Sequence, residues 1–514
     1  MKRLYYPLIL LLAAHTLMAQ EVSQEAMQKI RKEGLENSKV ADIAFRLTDA
    51  SGPRLTNSPG YQRAAEWSVD QLKKWGLQNA RLEEWGEFGK GWQVEKSYIA
   101  MTKPYYMPFI AIPKAWTGGT SGPITGEVVV VDINQEEDLK KYEGKLRDKI
   151  ILIKGEANTA PTFKADAVRY TSEDLDKMAD SEAFGSRNFT PEMLERYRAM
   201  RTFRNRVDSF LLAQKVKMEI VARQGKHGTF FTSNGASFRG DAPEPGPSFE
   251  MAPEHAYLMA RLAENGIPVT VEADIKTTFY NKLTSSNVIA EIPGTDPKLK
   301  DEVVMLGAHL DSWHGATGAT DNAAGSTVMM EVIRILQTTG LKPKRTIRIA
   351  LWSGEEQGLY GSRNYVKNTF GDPQTMKLKP AHEKLSAYYN IDNGTGRIRG
   401  VYLQGNEAVR PIFEKWLAPF ADIIDHPTVT LRNTGGTDHV SFDALGLPGF
   451  QFIQDGIEYG SRTHHTNVDT YERLVMDDLK QMATIVAAFV YNTAQMDQKL
   501  PRKPLPKAPD SVGR

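Results

Sequence analysis

Short apolar runs separated by helical patterns dominate the second half of the chain. Four of these runs are predicted strands, at 303–308, 346–352, 386–392 and 449–453. Between the first two, apolar residues recur at helical spacing, with Asp321 at the predicted N-cap and Gly340 as the C-terminal stop. A final amphipathic helix is predicted over 477–496. The alternation predicts an α/β fold, a mostly parallel sheet sandwiched by helices.

The first part of the chain shows patterns of the same kind. Helical spacing predicts helices over 28–47 and 58–75, and the segments 80–84 and 94–101 are predicted to be strands. Prolines and glycines between 103 and 119 then mark a boundary. We therefore interpret 20–118 as the first part of the domain that 281–498 completes.

Residues 119–280 have a different composition and are interpreted as an insert. Strands are predicted over 126–132 and 148–154, and a helix over 256–263. Between them lies a long charged excursion, residues 163–216. Its polarity favours a solvated helical arm, and a role in dimerisation or in substrate gating is the alternative. At the other end, residues 499–514 contain four prolines and are predicted to be a disordered tail.

Side chains that bind metals stand where the predicted strands end. They are His309, Asp321, the pair Glu355 and Glu356, Asp392, and the pair His464 and His465. In an open α/β sheet, ligands gather beyond the carboxyl ends of the strands, so these side chains are expected to converge. Any one of the acids alone would be interpreted as a helix cap or a solvated loop residue. Their occurrence together, in one order, favours a metal site.

Five motifs carry a resemblance to a known family. In order they are His309-Leu310-Asp311-Ser312, Asp321-Asn322 with a following glycine, Gly354-Glu355-Glu356, the strand-terminal Asp392, and His465-Thr466-x-x-Asp469-Thr470. Together they resemble the co-catalytic zinc exopeptidases, which include aminopeptidase S, aminopeptidase Y, carboxypeptidase Q and glutamate carboxypeptidase. The segments around His309 and Glu355 look most like the carboxypeptidase Q branch.

The resemblance implies two zinc ions. Asp321 would bridge them, His309 and Asp392 would complete one site, and Glu356 with His465 the other. The histidine-threonine frame of the family selects His465 over its neighbour. Two divalent cations roughly 3.5 to 4 Å apart can polarise a carbonyl and activate a shared water. The nitrogen and oxygen ligand set does not exclude cobalt or manganese.

The resemblance also assigns the supporting residues. Glu355 is implied as the general base, and Asp311 matches the carboxylate that orients the ligand histidine in the family. Asp469 is expected to do similar work for the His465 loop. The glycine-rich loop that ends at His439 resembles one that lines the substrate pocket, so His439 is a candidate substrate-binding residue. Some aminopeptidases of the family have a tyrosine at about the position of Thr434. This chain lacks that tyrosine, so the residue that donates to the oxyanion is unassigned.

The insert resembles a protease-associated domain. Its two apolar strands and its later helix carry that resemblance, and it contains no catalytic motif. Members of the exopeptidase family often carry such an insert as a wall or lid over the active-site cleft.

The remaining composition bears on location and partners. Residues 1–19 combine a basic start, a short apolar core and a small residue before a cleavage point, as in a secretory signal peptide. The 514 residues include no cysteine, and the net charge of +1 gives no indication of a nucleic-acid or membrane partner. We therefore expect an exported protein, periplasmic or extracellular, with a peptide substrate and a possible homodimer.

The predicted function is that of a secreted metallo-exopeptidase. It would hydrolyse peptide bonds near a terminus of short peptides or dipeptides with a water activated by two zinc ions. Carboxypeptidase, dipeptidase and aminopeptidase specificity all remain open. The alternatives from other classes are a single-zinc acyltransferase resembling glutaminyl cyclases and a non-catalytic binding protein.

Overall fold

A computed structural model describes residues 23–181, 191–233 and 235–508. The predicted signal peptide lies outside these residues. Twelve α-helices occur among the described residues: α1 Gln24–Glu36, α2 Val40–Leu47, α3 Pro59–Lys74, α4 Ser172–Ala179, α5 Pro191–Ala213, α6 Pro253–Glu264, α7 Ala324–Thr338, α8 Tyr360–Thr369, α9 Arg410–Leu417, α10 Ala421–Ile424, α11 His439–Asp443 and α12 Met476–Gln495.

The described residues also contain twenty strands, most of them short. They are β1 Gln78–Glu87, β2 Gly91–Lys103, β3 Met107–Pro108, β4 Ala111–Pro113, β5 Ile124–Val131, β6 Ile150–Ile153, β7 Met218–Ala222, β8 Gly225–Lys226, β9 Thr229–Phe230, β10 Ser248–Met251, β11 Thr270–Tyr280, β12 Thr284–Ile292, β13 Val303–His309, β14 Thr346–Trp352, β15 Gly371–Asp372, β16 Lys377–Leu378, β17 Leu385–Asn390, β18 Ile398–Tyr402, β19 Thr428–Thr430 and β20 Gly449–Gln454.

The first large sheet has the order β1-β12-β14-β13-β17-β20-β18-β19. Its centre is parallel, because β13 pairs in parallel with β14 and β17, and β17 with β20. β12 and β1 extend it in antiparallel fashion at one edge. The α/β prediction is thus confirmed, with more antiparallel pairing than expected. Because the central strands run the same way, their carboxyl ends lie at one edge of the sheet.

Both faces of this sheet are covered. Val304 and Leu306 of β13 join a core cluster with α1, α2, α7 and α12, whereas Val303 and Met305 join a second cluster with α8 and the α11 segment. Successive side chains of a strand point to opposite faces, so β13 needs apolar residues at every position. This requirement is the physical origin of the unbroken apolar run in the sequence.

The second large sheet has the order β3-β2-β11-β5-β6-β7-β10-β4. It includes β2, which pairs with β11 along its whole length, so the unit begins near Gly91. The boundary predicted at 118 is therefore wrong. The apolar pattern of β2 gives no indication that its partner lies about 180 residues further along the chain.

The helix predicted over 28–47 is two helices. α1 ends at Glu36 and α2 begins at Val40. At the break, the Ser38 hydroxyl and the Lys39 amide both donate to the buried carboxylate of Glu331 on α7, at 2.9 and 3.0 Å. This contact between elements far apart in sequence satisfies main-chain groups that a continuous helix would have used.

The chain after α12 is attached to the first sheet's unit through residues 500–503. Leu500 is buried, and the Arg502 guanidinium donates to the carbonyls of His382 and Leu385 at 2.8 and 2.7 Å. The prediction of a disordered tail from residue 499 is wrong for this stretch. The proline content of the segment does not reveal that carbonyls elsewhere in the fold accept hydrogen bonds from Arg502.

The charged excursion forms α4 and α5, as the helical-arm prediction expected. Residues 166–179, however, lie against the first sheet's unit, where Arg169 contacts Asp455 and Asp478. The prediction of a wholly solvated arm is wrong for this stretch. No helix within the described residues combines the length and apolar character needed to cross a membrane.

A buried ion pair in the second sheet gives a pH-dependent prediction. Glu250 is 1 % exposed and lies 3.1 Å from Arg223, and burial raises the pKa of its carboxyl to about 7. The folded protein thus holds this proton more tightly than the unfolded chain, so Glu250 contributes less stability as pH rises from about 4.5 through 7. We expect Glu250→Gln to remove this dependence. Between pH 5 and pH 8 the parent should lose about 2 kcal/mol of unfolding free energy through this carboxyl, and the variant should not lose it.

Urea unfolding at both pH values measures this gain. Glu244→Gln, at an exposed position of the same segment, is the control and should give the same difference at both pH values. A parallel pH response of Glu250→Gln and the parent would contradict the prediction.

Candidate metal centre

His309 is the last residue of β13 and is 1 % exposed. Its Nδ1–H donates to the main-chain carbonyl of Asp311 at 2.9 Å, which leaves Nε2 free to bind. Nε2 faces the carboxylates of Asp321, Asp392 and Glu355 at 3.4, 3.3 and 3.9 Å. The tautomer that suits a metal ligand is therefore fixed by the loop that follows the strand.

The carboxylate of Asp311 forms hydrogen bonds with the turn that carries the two glutamates. It lies 3.8 Å from His309 Nδ1, and its oxygens accept from the amides of Glu355 and Glu356 at 3.3 Å each and from the Thr56 hydroxyl at 3.0 Å. The hydrogen bond that orients His309 in this structure comes from the main-chain carbonyl of Asp311, and the orienting role of the carboxylate stays a prediction. The side chain holds the turn that carries the two glutamates.

Asp321 lies in an irregular turn, and its cis peptide bond to Asn322 precedes α7, whose N-cap is Ala323. The N-cap prediction for Asp321 is therefore wrong. Its carboxylate is 4 % exposed and faces two histidines, with Oδ1 3.4 Å from His309 Nε2 and Oδ2 3.2 Å from His465 Nε2. One side chain with an oxygen toward each histidine is the arrangement a bridging ligand requires.

The main chain at Asp321 is held by Asp469. The two carboxylate oxygens of Asp469 accept from the amides of Thr320 and Asp321 at 2.7 and 3.0 Å. Asp469 was predicted to support the loop of His465. It connects that loop to the Asp321 turn, so it positions two of the predicted ligands relative to each other.

Glu355 and Glu356 follow β14 on a turn in which Gly354 has φ +67°, a conformation that favours glycine. The two side chains diverge. Glu356 Oε2 lies 2.8 Å from His465 Nε2, whereas Glu355 Oε2 lies nearest to the other histidine, at 3.9 Å from His309 Nε2. Adjacent glutamates thus reach opposite ends of the cluster.

His465 completes the second group of predicted ligands. It lies in a loop after β20 and has φ +55°, which costs a non-glycine residue about 1 kcal/mol. Its carbonyl accepts from the Thr232 amide at 2.7 Å, a contact that comes from the second sheet's unit. The ligand is therefore held in a strained conformation by a contact between the two units.

His464 lies next to the cluster as well. Its Nε2 is 3.9 Å from Asp321 Oδ2, and its ring centroid is 3.8 Å from that of His465 and 4.7 Å from that of Tyr459. Burial raises the pKa of the Tyr459 hydroxyl well above its usual value, and the nearby carboxylates add to this. The sequence analysis missed Tyr459, since a tyrosine in an irregular loop carries no local signal.

Arg54 is a second residue that the sequence did not indicate. Its buried guanidinium donates to the carbonyls of Leu310, Thr317 and Gly318, all on the loop between His309 and Asp321. Burial lowers its pKa to about 10, although the surrounding carboxylates raise it. One fixed cation beneath the cluster partly offsets its negative charge.

The imidazoles and carboxylates shift one another's pKa values. Burial lowers the pKa of His309 and His465, but the neighbouring carboxylates outweigh it, raising His465 to about 11 and His309 well above its usual value. Burial raises the pKa of Asp321, yet the two imidazoles hold it well below the usual range. Burial also raises the pKa of Glu355 well above its usual value and that of Glu356 to about 7. Binding of a metal ion by such groups requires deprotonated ligands and therefore depends on pH.

The residues fit a metal centre on grounds independent of the motifs. Ligand atoms of His309, Asp321 and Asp392 lie within 4.8 Å of one another, and so do those of Asp321, His464 and His465. Asp321 Oδ2 and Glu356 Oε1 are buried and make no hydrogen bond. Buried carboxylate oxygens of this kind need a cation or a donor. Imidazole and carboxylate ligands suit zinc.

The predicted substrate-binding residue is placed beneath the surface. His439 is fully buried, and its Nε2–H donates to the carbonyl of Thr434 at 3.1 Å. Burial lowers its pKa to about 4, so it is neutral at physiological pH. In the structure His439 holds the glycine-rich loop closed on itself, and its contact with substrate stays a prediction.

Comparisons with known proteins agree with the motifs. Residues 287–490 match the sequence model of Peptidase family M28. The chain is 26 % identical over 462 residues to carboxypeptidase Q of Mus musculus, which covers 89 % of this chain and 86 % of the relative.

Solved structures share the fold. A peptidase M28 precursor from Shewanella amazonensis superposes with a TM-score of 0.64 at 22 % identity, covering 94 % of this chain and 99 % of the other. A zinc aminopeptidase from Bacillus subtilis superposes with a TM-score of 0.55 at 18 % identity, covering 90 % of this chain and 96 % of the other. At these identities the likeness shows the fold alone.

Proposed function

We propose that this protein, whose residues 287–490 match the sequence model of Peptidase family M28, is a zinc exopeptidase that hydrolyses short peptides with a pair of zinc ions held by five side chains. Asp321 would bridge the ions, His309 and Asp392 would complete one site, and Glu356 and His465 the other. The observation that carries the proposal is the position of Asp321. Its two oxygens face two histidines that stand 156 residues apart in the chain, at 3.4 and 3.2 Å.

The chemistry divides between the ions and the chain. Bound zinc would polarise the scissile carbonyl and lower the pKa of the attacking water. Glu355 takes the proton from that water and later returns it to the leaving amine. Its position favours this role, because its carboxylate is buried, reaches the cluster near His309 and is not paired with His465 as Glu356 is.

The amide donors around the two glutamates fix their geometry. Asp311 accepts from the amides of both residues, so the turn cannot rotate without breaking two hydrogen bonds. The base and the neighbouring ligand are thereby held as one rigid piece. Preorganisation of this kind reduces the reorganisation needed during the reaction.

The second sheet's unit supports a restricted substrate. It contacts the loop of His465 through the amides of Thr232 and Phe230, which donate to the His465 carbonyl and the Asn467 side chain, and through Phe231, which bridges to Thr466. We propose that this unit is a protease-associated insert that walls the cleft, so that only chain ends or dipeptides reach the cluster. An exported enzyme, with residues 1–19 as its signal peptide, is part of the same proposal.

Both termini remain candidates for recognition. The similar proteins include a carboxypeptidase and a zinc aminopeptidase, so similarity alone does not identify the terminus that this protein recognises. The segments around His309 and Glu355, which look most like the carboxypeptidase Q branch, favour the carboxypeptidase or dipeptidase alternative.

Product analysis by mass spectrometry tests the proposal. One pentapeptide is offered free, N-terminally acetylated and C-terminally amidated, together with a free dipeptide, before and after removal of metal with a chelator. We expect loss of one terminal residue or cleavage of the dipeptide, no activity after chelation, and recovery when two equivalents of zinc per chain are added.

The blocked peptides identify the terminus. Cleavage of the acetylated but not the amidated form indicates a carboxypeptidase, and the reverse indicates an aminopeptidase. Full activity with one equivalent of zinc would contradict the two-ion mechanism and favour the glutaminyl-cyclase-like alternative. No zinc-dependent cleavage of any form would favour the binding-protein alternative.

A further inference from the structure

The loop that carries His465 has little support of its own. Residues 455–469 follow β20, and their one helical element is an irregular turn at 459–463; a short helical turn follows at 471–473. Both Ile457 and His465 have positive φ, at 45° and 55°. A segment with this backbone keeps its conformation only when its surroundings determine it.

One side of the loop is held by the β8–β9 hairpin region. The Thr232 amide donates to the His465 carbonyl at 2.7 Å, and the Phe230 amide donates to the Asn467 side chain at 2.9 Å. Thr232 itself is fully buried. These contacts fix the part of the loop beyond His465.

The other side is held by residues 166–179, which we call the strap. Val168 and Ile457 exchange two main-chain hydrogen bonds, of 3.0 and 2.8 Å, as in an antiparallel pair. Asp166 adds two more contacts: its carbonyl accepts from the Ser461 hydroxyl at 2.8 Å, and its carboxylate pairs with Arg462 at 2.5 Å. The strap therefore fixes the part of the loop before His465.

Arg169 anchors the strap. Its Nη1 lies 2.8 Å from Asp455 and 2.7 Å from Asp478, two carboxylates that are almost fully buried. Asp455 opens the loop, and it also accepts from the Tyr170 amide at 2.9 Å. Arg399 shares Asp455 from the opposite side at 3.0 Å. The charges make the anchor specific, since a buried carboxylate requires a cation or a donor.

Further contacts hold the remainder of the strap. His426 lies 2.7 Å from Asp176, and the Thr430 hydroxyl donates to the Met178 carbonyl. Both partners come from the first sheet's unit, at β19 and the loop before it. The strap is thus attached along its length, from residue 166 to residue 178.

From these contacts we propose that Asp166 and Arg169 are positioning residues for His465, acting through the loop 456–465. The inference rests on the proposed function, in which His465 is a metal ligand. Four of the five predicted ligands stand at or just beyond strands of the first sheet or at the start of α7, and their main chain is held within that unit. His465 alone among the five is held by residues from the segment between β2 and β11. The excursion that the sequence suggested as a solvated arm is therefore a part of the metal centre's support.

Hydrogen exchange on metal-free protein tests the holding role directly. We expect Arg169→Gln and Asp166→Asn to speed exchange of the amides in 456–467 by about tenfold or more, while amides of β13 and β17 keep their rates. Arg169→Lys, which preserves the charge, should give an intermediate rate. Arg206→Gln is the matched control, because Arg206 forms an exposed pair with Glu136 in the same insert.

Zinc binding by competition with a chromophoric chelator tests the positioning role. We expect one of the two stepwise dissociation constants to weaken by about tenfold or more in Arg169→Gln and Asp166→Asn, as for other residues that orient a ligand, and the other to change little. Faster exchange in β13 of Arg169→Gln would indicate general destabilisation of the fold. In that case Asp166→Asn is the deciding variant, because the Asp166–Arg462 pair is more exposed and its loss should disturb the core less.

Unchanged exchange of 456–467 in both variants would overturn the inference. So would faster exchange with both zinc constants intact, since His465 would then hold its position without the strap. The absence of zinc-dependent hydrolysis by the parent protein would refute the proposed function instead. The exchange measurement uses metal-free protein and therefore still decides whether the strap holds the loop.

Discussion

Glu355→Gln is expected to lower kcat by a factor of roughly 10² to 10⁴ while zinc content stays at two ions per chain. The substitution keeps the shape of the side chain and removes its ability to accept a proton. Glu355 is buried at the edge of the cluster, and its nearest imidazole nitrogen is 3.9 Å away, so the ligand set does not depend on it. Steady-state kinetics together with zinc analysis of the same sample measure both quantities.

The adjacent residue supplies a matched comparison for this prediction. Glu356→Gln makes the same chemical change one position later, where the carboxylate lies 2.8 Å from His465 Nε2, and it should lose zinc as well as activity. Glu414→Gln, on an exposed face of α9, should behave as the parent. If Glu355→Gln keeps the parent kcat, or loses zinc as Glu356→Gln does, then Glu355 is not the base.

Asp321→Asn is expected to abolish stable binding of both zinc ions and to lower kcat/KM by more than about 100-fold. Loss of a residue that only supports a ligand typically lowers activity by about 10- to 100-fold. An amide offers one oxygen and one NH₂ group where the carboxylate offers two oxygens, so it cannot bridge two cations. Zinc should also cease to stabilise the variant. In the parent, zinc at 100 times its Kd should add about 2.7 kcal/mol to the free energy of unfolding.

Zinc analysis and thermal unfolding with and without zinc measure the two effects. Asp477→Asn, at an exposed position of α12, is the control and should keep the response to zinc. An Asp321→Asn variant that still binds two ions and shows the full thermal shift would refute the bridging role. Retention of one tightly bound ion would show that one site forms without the bridge.

The architecture of the first sheet could be predicted because its strands are buried on both faces. β13 reads as an apolar run up to His309, β14, β17 and β20 read as mostly apolar runs, and α7 and α12 as helical patterns. The strand β2 was also predicted, but it belongs to the second sheet, through a partner far along the chain. Local periodicity gives the type of an element and does not give its partner.

The candidate ligands could be predicted for a similar reason. A residue that follows a buried parallel strand must lie at the carboxyl edge of the sheet, and metal-binding side chains there are expected to meet. His309 and Glu356 are such residues. In the structure His309 contacts Asp321, Asp321 contacts His465, and His465 contacts Glu356, so all four lie in one cluster. Arg54 and Tyr459 were missed because each reaches the site from a loop whose own sequence shows no chemical pattern.

The roles of the supporting residues were decided by tertiary structure. Asp311 was expected to orient His309 with its carboxylate, but the loop places its carbonyl there and turns the carboxylate toward the two glutamate amides. Which of the two groups of Asp311 faces His309 depends on the backbone path over several residues. The residue types and their spacing in the sequence do not determine that path.

The sequence by itself determined a parallel-centred α/β sheet and a set of imidazoles and carboxylates at its carboxyl edge, because strands buried on both faces are apolar and the alternation of strands with helices favours parallel neighbours. Only the tertiary structure decided that β2 belongs to the second sheet and that residues 166–179 hold the loop of His465. These contacts join segments separated by about 180 to 290 residues. They depend on which buried carboxylates and carbonyls remain unpaired once the whole chain has folded.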